Sequence, residues 1–365
     1  MHAADLFDVP GKDKYAIEEE VGHGTFSEVH RARELATGEL VALKHMYLQE
    51  EGVLPRHVQR ELRLLRSVRH PCVVSLKDVV QQGFSIALVL EHCLTDLRAL
   101  LARLRGEPLD LAVAKALAQQ LLQALAACHA AGWVHRDVAP SNVLVSPQGT
   151  ARLADFGQAR RLPGAEGAAG AGAAANGVPA GHQQRDGQEG AGPGSEGGAG
   201  DDDDDATPAG GLTPGACLCT RWYKAPELLL NGRSYGQGVD MWGAGCILAE
   251  LLAGRALFPG SSDIAQLALM ADLLGSLSEE RWPGVVELPD WGKLIFAEQP
   301  PSDLGAALGP AASPEAVELV AGLLQYNPEL RLSAAQALRS PWFSQEPLPA
   351  GPEAVLDAVQ RLLAD

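Results

Sequence analysis

The sequence predicts an α+β fold of two unequal lobes, a small β-rich lobe with one helix followed by a larger, mainly helical lobe. Three observations predict it. Residues 15 to 48 alternate with the two-residue period of strands. Residues 56 to 69 switch to helical spacing before an apolar, strand-like run returns. From Asp96 onward, long helical patterns dominate.

In chain order, YAIEEEVG, SEVHRAREL and ELVALKHMYL read as strands, supported by the alternation in VHRAR, the VAL run and a hairpin turn at Thr37-Gly38. From Arg56 to Arg69, Val58, Leu62 and Leu65 share one helical face and arginines fill the other. FSIALVLEHC returns to a strand, and AVAKALAQQLLQALAACHAAG and MWGAGCILAELLAG are helices of the second lobe. Residues 1–14 form an N-terminal extension, 15–93 the small lobe, 94–347 the large lobe and 348–365 a tail. The tail's PEAVLDAVQRLLAD is a short amphipathic helix with Val355, Leu356, Val359 and Leu363 on one side, expected to pack on the large lobe.

One segment breaks the pattern. Residues 163–211 are mostly Ala and Gly, with an acidic block at Asp201 to Asp205. Such a composition cannot bury enough apolar surface to offset its ordering entropy, so it is expected to be disordered. A solvated insertion is the favoured reading, and an acidic docking or autoregulatory element the alternative.

Bulk properties narrow the function. Hydrophobic residues at 46% are ample for a core, while the formal net charge of −17 gives no electrostatic reason to expect nucleic acid or membrane as a partner. The first thirty residues hold no signal-type apolar run, and no apolar stretch is expected to reach the length of a membrane span. The cysteines are scattered, and Cys217 and Cys219 read as two small loop residues. A reducing intracellular compartment is expected.

The chemistry sits in a series of motifs. VGHGTFSEV lies between two strands, where Gly22 and Gly24 let the backbone approach phosphate oxygens and Val29 would cover a purine; Ser27 stands where a third glycine is usual. VALK puts Lys44 on the third strand, and Glu61 in QRELRLL suits an ion pair with it. VHRDVAPSN and ADFG then supply Asp137 as a base toward a hydroxyl, and Asn142 and Asp155 as Mg²⁺ ligands. TRWYKAPE and DMWGAGCILAELL follow. Any one of these has an ordinary structural explanation, a hairpin glycine or a surface charge, but their order and spacing do not.

From about Tyr15 to Pro347 the chain resembles the eukaryotic protein kinases of the cyclin-dependent kinase group, and so implies the bilobal protein kinase fold. LFPGSSDIAQL and LLGSLSEERWPG resemble the helical insert of that group. SDIAQL, ELPDWGKLIF and EPLP look most like its cell-cycle-related kinase branch, which includes kinases of cilium and flagellum length control. ADFGQAR and the long insert also resemble plant F-type CDK-activating kinases. The resemblance implies a serine/threonine kinase using ATP and Mg²⁺ on protein substrates, proline-directed or acting on another kinase's activation loop. It places the protein in the cytoplasm, nucleus or cilium. It also implies Val21, Gly22, Gly24, Val29, Ala42, Lys44, Leu90, Glu91, Cys93, Asp96 and Leu144 around ATP, with Leu90 the gatekeeper, Glu91 to Cys93 the hinge and Asp96 toward the ribose. Thr220 would brace Asp137, and Glu227 would pair with Arg331.

Regulation is read in the same way. Arg60, Arg136 and Arg160 stand where the group binds an activation-loop phosphate, a task suited to arginine's planar fork. Gly215 occupies the usual acceptor position, so Thr213 is the expected acceptor for an upstream activating kinase, with Thr207 as runner-up. Phe26 replaces an inhibitory tyrosine beside Thr25. The helix reads LPRHVQRE in place of the group's cyclin-binding motif, leaving a divergent cyclin-like partner or none equally open.

Ala139 is the departure that matters most. The group's lysine at this position donates to the γ-phosphoryl, and neither Ala139 nor Ser141 supplies a cation. Losing one such donor costs about 2.7–4 kcal/mol of transition-state stabilisation. An active but slow kinase is the favoured expectation. A catalytically silent scaffold is the alternative, and a binding module centred on the acidic insert the weaker third.

Overall fold

The computed structural model describes residues 11–23, 27–50, 53–162, 221–233, 235–293 and 297–364. Gly24, Thr25, Phe26, Thr207, Thr213, Cys217, Cys219, Thr220 and the 163–211 insertion lie outside the described residues.

The small lobe is built on a five-stranded antiparallel sheet in the order β1-β2-β3-β5-β4. Its strands are β1 (Tyr15–His23), β2 (Glu28–Glu34), β3 (Leu40–Tyr47), β4 (Leu76–Gln82) and β5 (Ser85–Glu91). The β2–β3 turn passes through Gly38 at φ 75°, a left-handed conformation that favours glycine. β5, paired on both sides by β3 and β4, is apolar almost throughout because both its faces are covered. Ile86, Leu88 and Leu90 join the main core, while Val89 joins Tyr15, Ala32, Val41 and Leu43 above the sheet. Between β3 and β4, α1 (Arg56–Ser67) buries Val58, Glu61, Leu62, Leu64 and Leu65 and exposes Arg56, Arg63 and Arg66.

The large lobe begins with β6 (Thr95–Asp96), α2 (Leu97–Arg103) and α3 (Leu111–Ala130), and then the small strands β7 (Trp133–Val134), β8 (Val143–Val145), β9 (Ala151–Leu153) and β10 (Arg160–Arg161). Next come α4 (Pro226–Leu229), α5 (Gly238–Ala253), α6 (Asp263–Leu274), α7 (Leu304–Leu308), α8 (Pro314–Leu323), α9 (Ala334–Ala337) and α10 (Pro352–Ala364). One expectation is corrected here. At 20 residues and mean hydropathy 1.3, α3 is long and apolar enough to cross a membrane. Its apolar surface is instead engaged in packing: Leu117, Leu121, Leu122 and Leu125 are buried where α3 meets α5 and β9. The tail helix α10 buries Val355 and Val359 against α2 and α3, and Arg103 donates to the carbonyl of Leu362 at 3.1 Å.

Two glycines inside α5 set how closely other elements approach it. A Cβ on Gly243 would stand 2.7 Å from the carbonyl oxygen of Val138, and one on Gly245 would stand 2.9 Å from Leu323 and Leu324. A glycine costs a helix interior about 1 kcal/mol relative to alanine, and here it lets the loop around Val138 lie directly on the helix. Gly243→Ala is therefore expected to lower stability by about 1–3 kcal/mol, the overpacking cost, despite alanine's better helix propensity. Urea unfolding of the two proteins checks this, and an equal or more stable variant would refute the close-approach role.

Candidate active site

Strand register brings the small-lobe residues together. Val29 lies opposite Lys44 across β2–β3, and Ala42 opposite Leu90 across β3–β5, so Val29, Ala42 and Lys44 share the sheet face turned toward the cleft. Gly22 pairs with Val29, and Val21 is half exposed at the cleft edge. From below, Leu144 pairs with Asp96 across β6–β8, putting an apolar side chain and a carboxylate side by side. Asp96 caps α2 by accepting the Ala99 N–H with one oxygen, Oδ1. Glu91 is fixed by Arg152 and by the Ser75 N–H, and burial pushes the Cys93 thiol up to about 12. Strand pairing thus joins Val29, Ala42, Lys44 and Leu90 in one sheet, and Asp96 and Leu144 in another.

The charged centre is equally definite. Lys44 Nζ donates to both oxygens of Glu61 and to Oδ1 of Asp155, each at 2.8 Å. Burial alone would lower the Lys44 pKa, but the charges of Asp155 and Glu61 outweigh it and hold the ammonium above the usual lysine range. The Lys44 charge in turn holds Asp155 below the usual carboxylate range. Asp155 occupies a left-handed backbone conformation at φ 60°, and its side chain is 52% exposed.

Asn142 donates its amide to the Asp137 carbonyl at 2.7 Å and to the Asp137 carboxylate at 3.1 Å. This leaves its Oδ1 as an acceptor. With the Asp155 oxygen not engaged by Lys44, it offers the hard oxygen donors that suit Mg²⁺. Burial raises the Asp137 carboxyl above its usual range, opposed by His135, by Asn142 and by the nearby charge of Lys224. A carboxylate raised in this way is a better proton acceptor.

Residues that sequence reasoning did not single out hold this centre in place. Asp240, at the start of α5 and fully buried, accepts the N–H groups of His135 at 2.8 Å and Arg136 at 2.7 Å and pairs with His129 Nε2 at 2.8 Å. The signal was present in DMWG, but an acid in a helix's first turn usually needs no such explanation. Lys224 lines a small cavity with Arg136, Asp137 and Val138. Ala139 is buried and extended, and its carbonyl accepts the Asn142 N–H at 2.9 Å. The Glu227–Arg331 pair is present and buried, at 2.6 and 2.7 Å. Arg60, Arg136 and Arg160 converge on the carbonyls of Gly157 and Gln158, at 3.4 to 3.5 Å. Burial and the neighbouring Arg160 charge press the Arg136 pKa down.

Comparison with known proteins bears on the family of the chain. The family described as protein kinase domain matches residues 15–172 and 210–343. The chain is 38% identical over 343 residues to cyclin-dependent kinase 20 of Mus musculus, covering 93% of this chain and 86% of that protein. It is 37% identical over 342 residues to cyclin-dependent kinase 20 of Homo sapiens, with the same coverage. To cyclin-dependent kinase 10 of Homo sapiens it is 36% identical over 336 residues, covering 91% of this chain and 80% of that protein.

Asp240 also carries a pH dependence. Burial alone would raise its pKa, but the bonds and charges from His129 and His135 outweigh it and hold it below the usual carboxylate value. A depressed folded-state pKa contributes stability that is present above the unfolded value and lost as pH falls through the folded one. Asp240→Asn is expected to cost about 3–5 kcal/mol near pH 7, with the gap from the parent narrowing in acid below the ordinary aspartate range. Denaturant titrations across a pH series would show it; a gap independent of pH would count against the charged form as the source.

Proposed function

The chain belongs to the protein kinase family, within its cyclin-dependent kinase group, and from that premise we propose that it is a working enzyme that transfers the γ-phosphoryl group of ATP to serine or threonine. The observation that carries this reading is Lys44 held at 2.8 Å by both Glu61 and Asp155, beside an Asp137–Asn142 pair in bonding contact. In this reading the adenine lies between Val21, Val29 and Ala42 above and Leu144 below, hydrogen-bonded to the backbone of Glu91 to Cys93 and bounded by Leu90. Gly22 and Gly24 would cover the phosphates, as the sequence implies, and Asp96 would take the ribose. Lys44 orients the α- and β-phosphates, and Glu61 keeps Lys44 extended toward them. Asp137 orients the acceptor hydroxyl and takes its proton as the bond to phosphorus forms, with Thr220 as its brace. Asn142 and Asp155 would hold Mg²⁺, which when bound neutralises charge on the phosphate oxygens.

Ala139 removes one cation from this arrangement. Lys224, which shares a cavity with Asp137 and favours its ionised form, is the substitute we propose. Ala139 also supports a second reading, a scaffold that binds partners without transferring phosphate.

The substrates are proteins, phosphorylated before a proline or on another kinase's activation loop. The converging arginines support activation by phosphate on Thr213, placed there by an upstream kinase. Likeness to the cell-cycle-related kinase branch supports a role in cilium or flagellum length or in the cell cycle, with the protein in cytoplasm, nucleus or cilium. The altered α1 sequence fits a divergent cyclin-like activator or none equally well.

Three measurements test these statements. Phosphate transfer by the purified protein should vanish in Asp137→Asn; equal residual transfer in the two would favour the scaffold. Ala139→Lys should raise kcat by up to about 10²–10³-fold, the worth of one donor to a transferring group. Absence of any gain would mean that another cation already acts there, and Lys224→Met should then lower kcat. Thr213→Ala should reduce activity after incubation with an activating kinase, and unchanged activity would remove Thr213 as the acceptor.

A further inference from the structure

The sheet's other face carries a second set of converging polar groups. Glu28 lies opposite His45 across β2–β3, and His30 follows two residues on, so all three project away from the cleft that holds Lys44. Their ligand atoms lie within 4.8 Å of one another. Glu28 Oε2 is 3.4 Å from His30 Nε2 and 3.9 Å from His45 Nδ1. Metal–ligand bonds of about 2.0–2.1 Å in tetrahedral geometry separate neighbouring donors by about 3.3 Å, so only small side-chain shifts would close the set around an ion.

A second observation points to a ligand here. His30 is 9% exposed, and its Nε2 is buried with no hydrogen bond of good geometry. A buried polar atom without a hydrogen bond costs about 1–3 kcal/mol, which a metal ion would remove. His45 is oriented from behind: its Nε2 lies 3.3 Å from Ser85 Oγ, so Nδ1 is the nitrogen turned toward Glu28. Such a hydrogen bond to the far ring nitrogen fixes the orientation of metal-binding histidines. Glu28 and His45 also border a cavity of about 690 Å³, lined further by His23, His57 and Arg56, so the set adjoins open space on one side.

We propose that Glu28, His30 and His45 form a binding site for a Zn²⁺-class transition-metal ion on the sheet face turned away from ATP. Two imidazoles and one carboxylate select Zn²⁺, Cu²⁺ or Ni²⁺ over the oxygen-seeking Mg²⁺ of the catalytic cleft. A bound ion would tie β2 to β3 at the point where the glycine-rich turn rejoins the sheet.

The test uses the full-length, tag-free protein after chelator treatment and buffer exchange, titrated with Co²⁺ and then with Zn²⁺. A site at these residues gives the visible absorption of four-coordinate Co²⁺ at one equivalent, displaced by Zn²⁺ and not by excess Mg²⁺. His30→Asn and Glu28→Gln should each weaken binding by more than about 10-fold. Both should keep the parent's melting temperature in chelator, showing that they fold. Parent-like affinity in both variants would overturn the proposal, as would binding that disappears in a Cys217→Ser/Cys219→Ser protein. So would a spectrum of six-coordinate Co²⁺ alone.

Discussion

A single buried carboxylate organises the working edge of the large lobe. Asp240 has no solvent exposure, and its oxygens are satisfied by two catalytic-loop N–H groups and one imidazole. Removing those donors would strand a charge in the core at a cost of several kcal/mol, so helix and loop form together. The same bonds hold Arg136 at φ 69°, a conformation that costs a non-glycine residue about 1–3 kcal/mol. With its backbone so constrained, Arg136 stacks over Tyr235 and reaches the Gln158 carbonyl. Asp137 follows directly, placed between His135 and Asn142.

From that loop, contacts run continuously into the small lobe. His135 Nε2 hydrogen-bonds the Ala154 carbonyl at 2.9 Å, and its ring meets the fully buried Phe156 edge-on at 4.9 Å. The short turn containing Phe156 packs on α1, which presents Glu61 to Lys44 and Arg60 to the Gly157 carbonyl. A shift of α1 would therefore disturb the lysine and the arginine cluster at once. This gives a partner on α1, or a phosphate on the arginines, a physical route to the same centre.

Much of this was legible in the chain because periodicity and spacing report on backbone. The strands of residues 15–48 and the Val58, Leu62, Leu65 stripe follow from burial on one face. β4 was not legible: LKDVVQQ is a half-exposed edge strand with an irregular register at Leu76 and Asp78, and it lacks clean alternation. Leu64 is buried outside the expected stripe, in the main core, while Glu61 lies on the stripe's own face, i+3 from Val58 and four before Leu65, where the turn at Phe156 packs on α1. Motif order located Lys44, Glu61, Asp137, Asn142 and Asp155. Asp240, Lys224 and the Glu28–His30–His45 set depend on contacts between separate elements, which no local pattern encodes.

The distribution of charge bears on whether the site is used. Lys44 and Glu61 have side-chain exposures of 12% and 2%, and Asp137 sits partly buried with a raised carboxyl. Buried ion pairs are a weak source of stability, and apolar residues of similar volume often serve a fold better. A scaffold would therefore derive little structural benefit from Lys44, Glu61, Asp155 and Asp137 converging on one cleft. A cleft that binds polyphosphate derives a great deal, because groups fixed before the substrate arrives need no reorganisation as charge develops. Ala139 subtracts one donor from this array and leaves its framework whole. The physical balance therefore favours slowed chemistry over none.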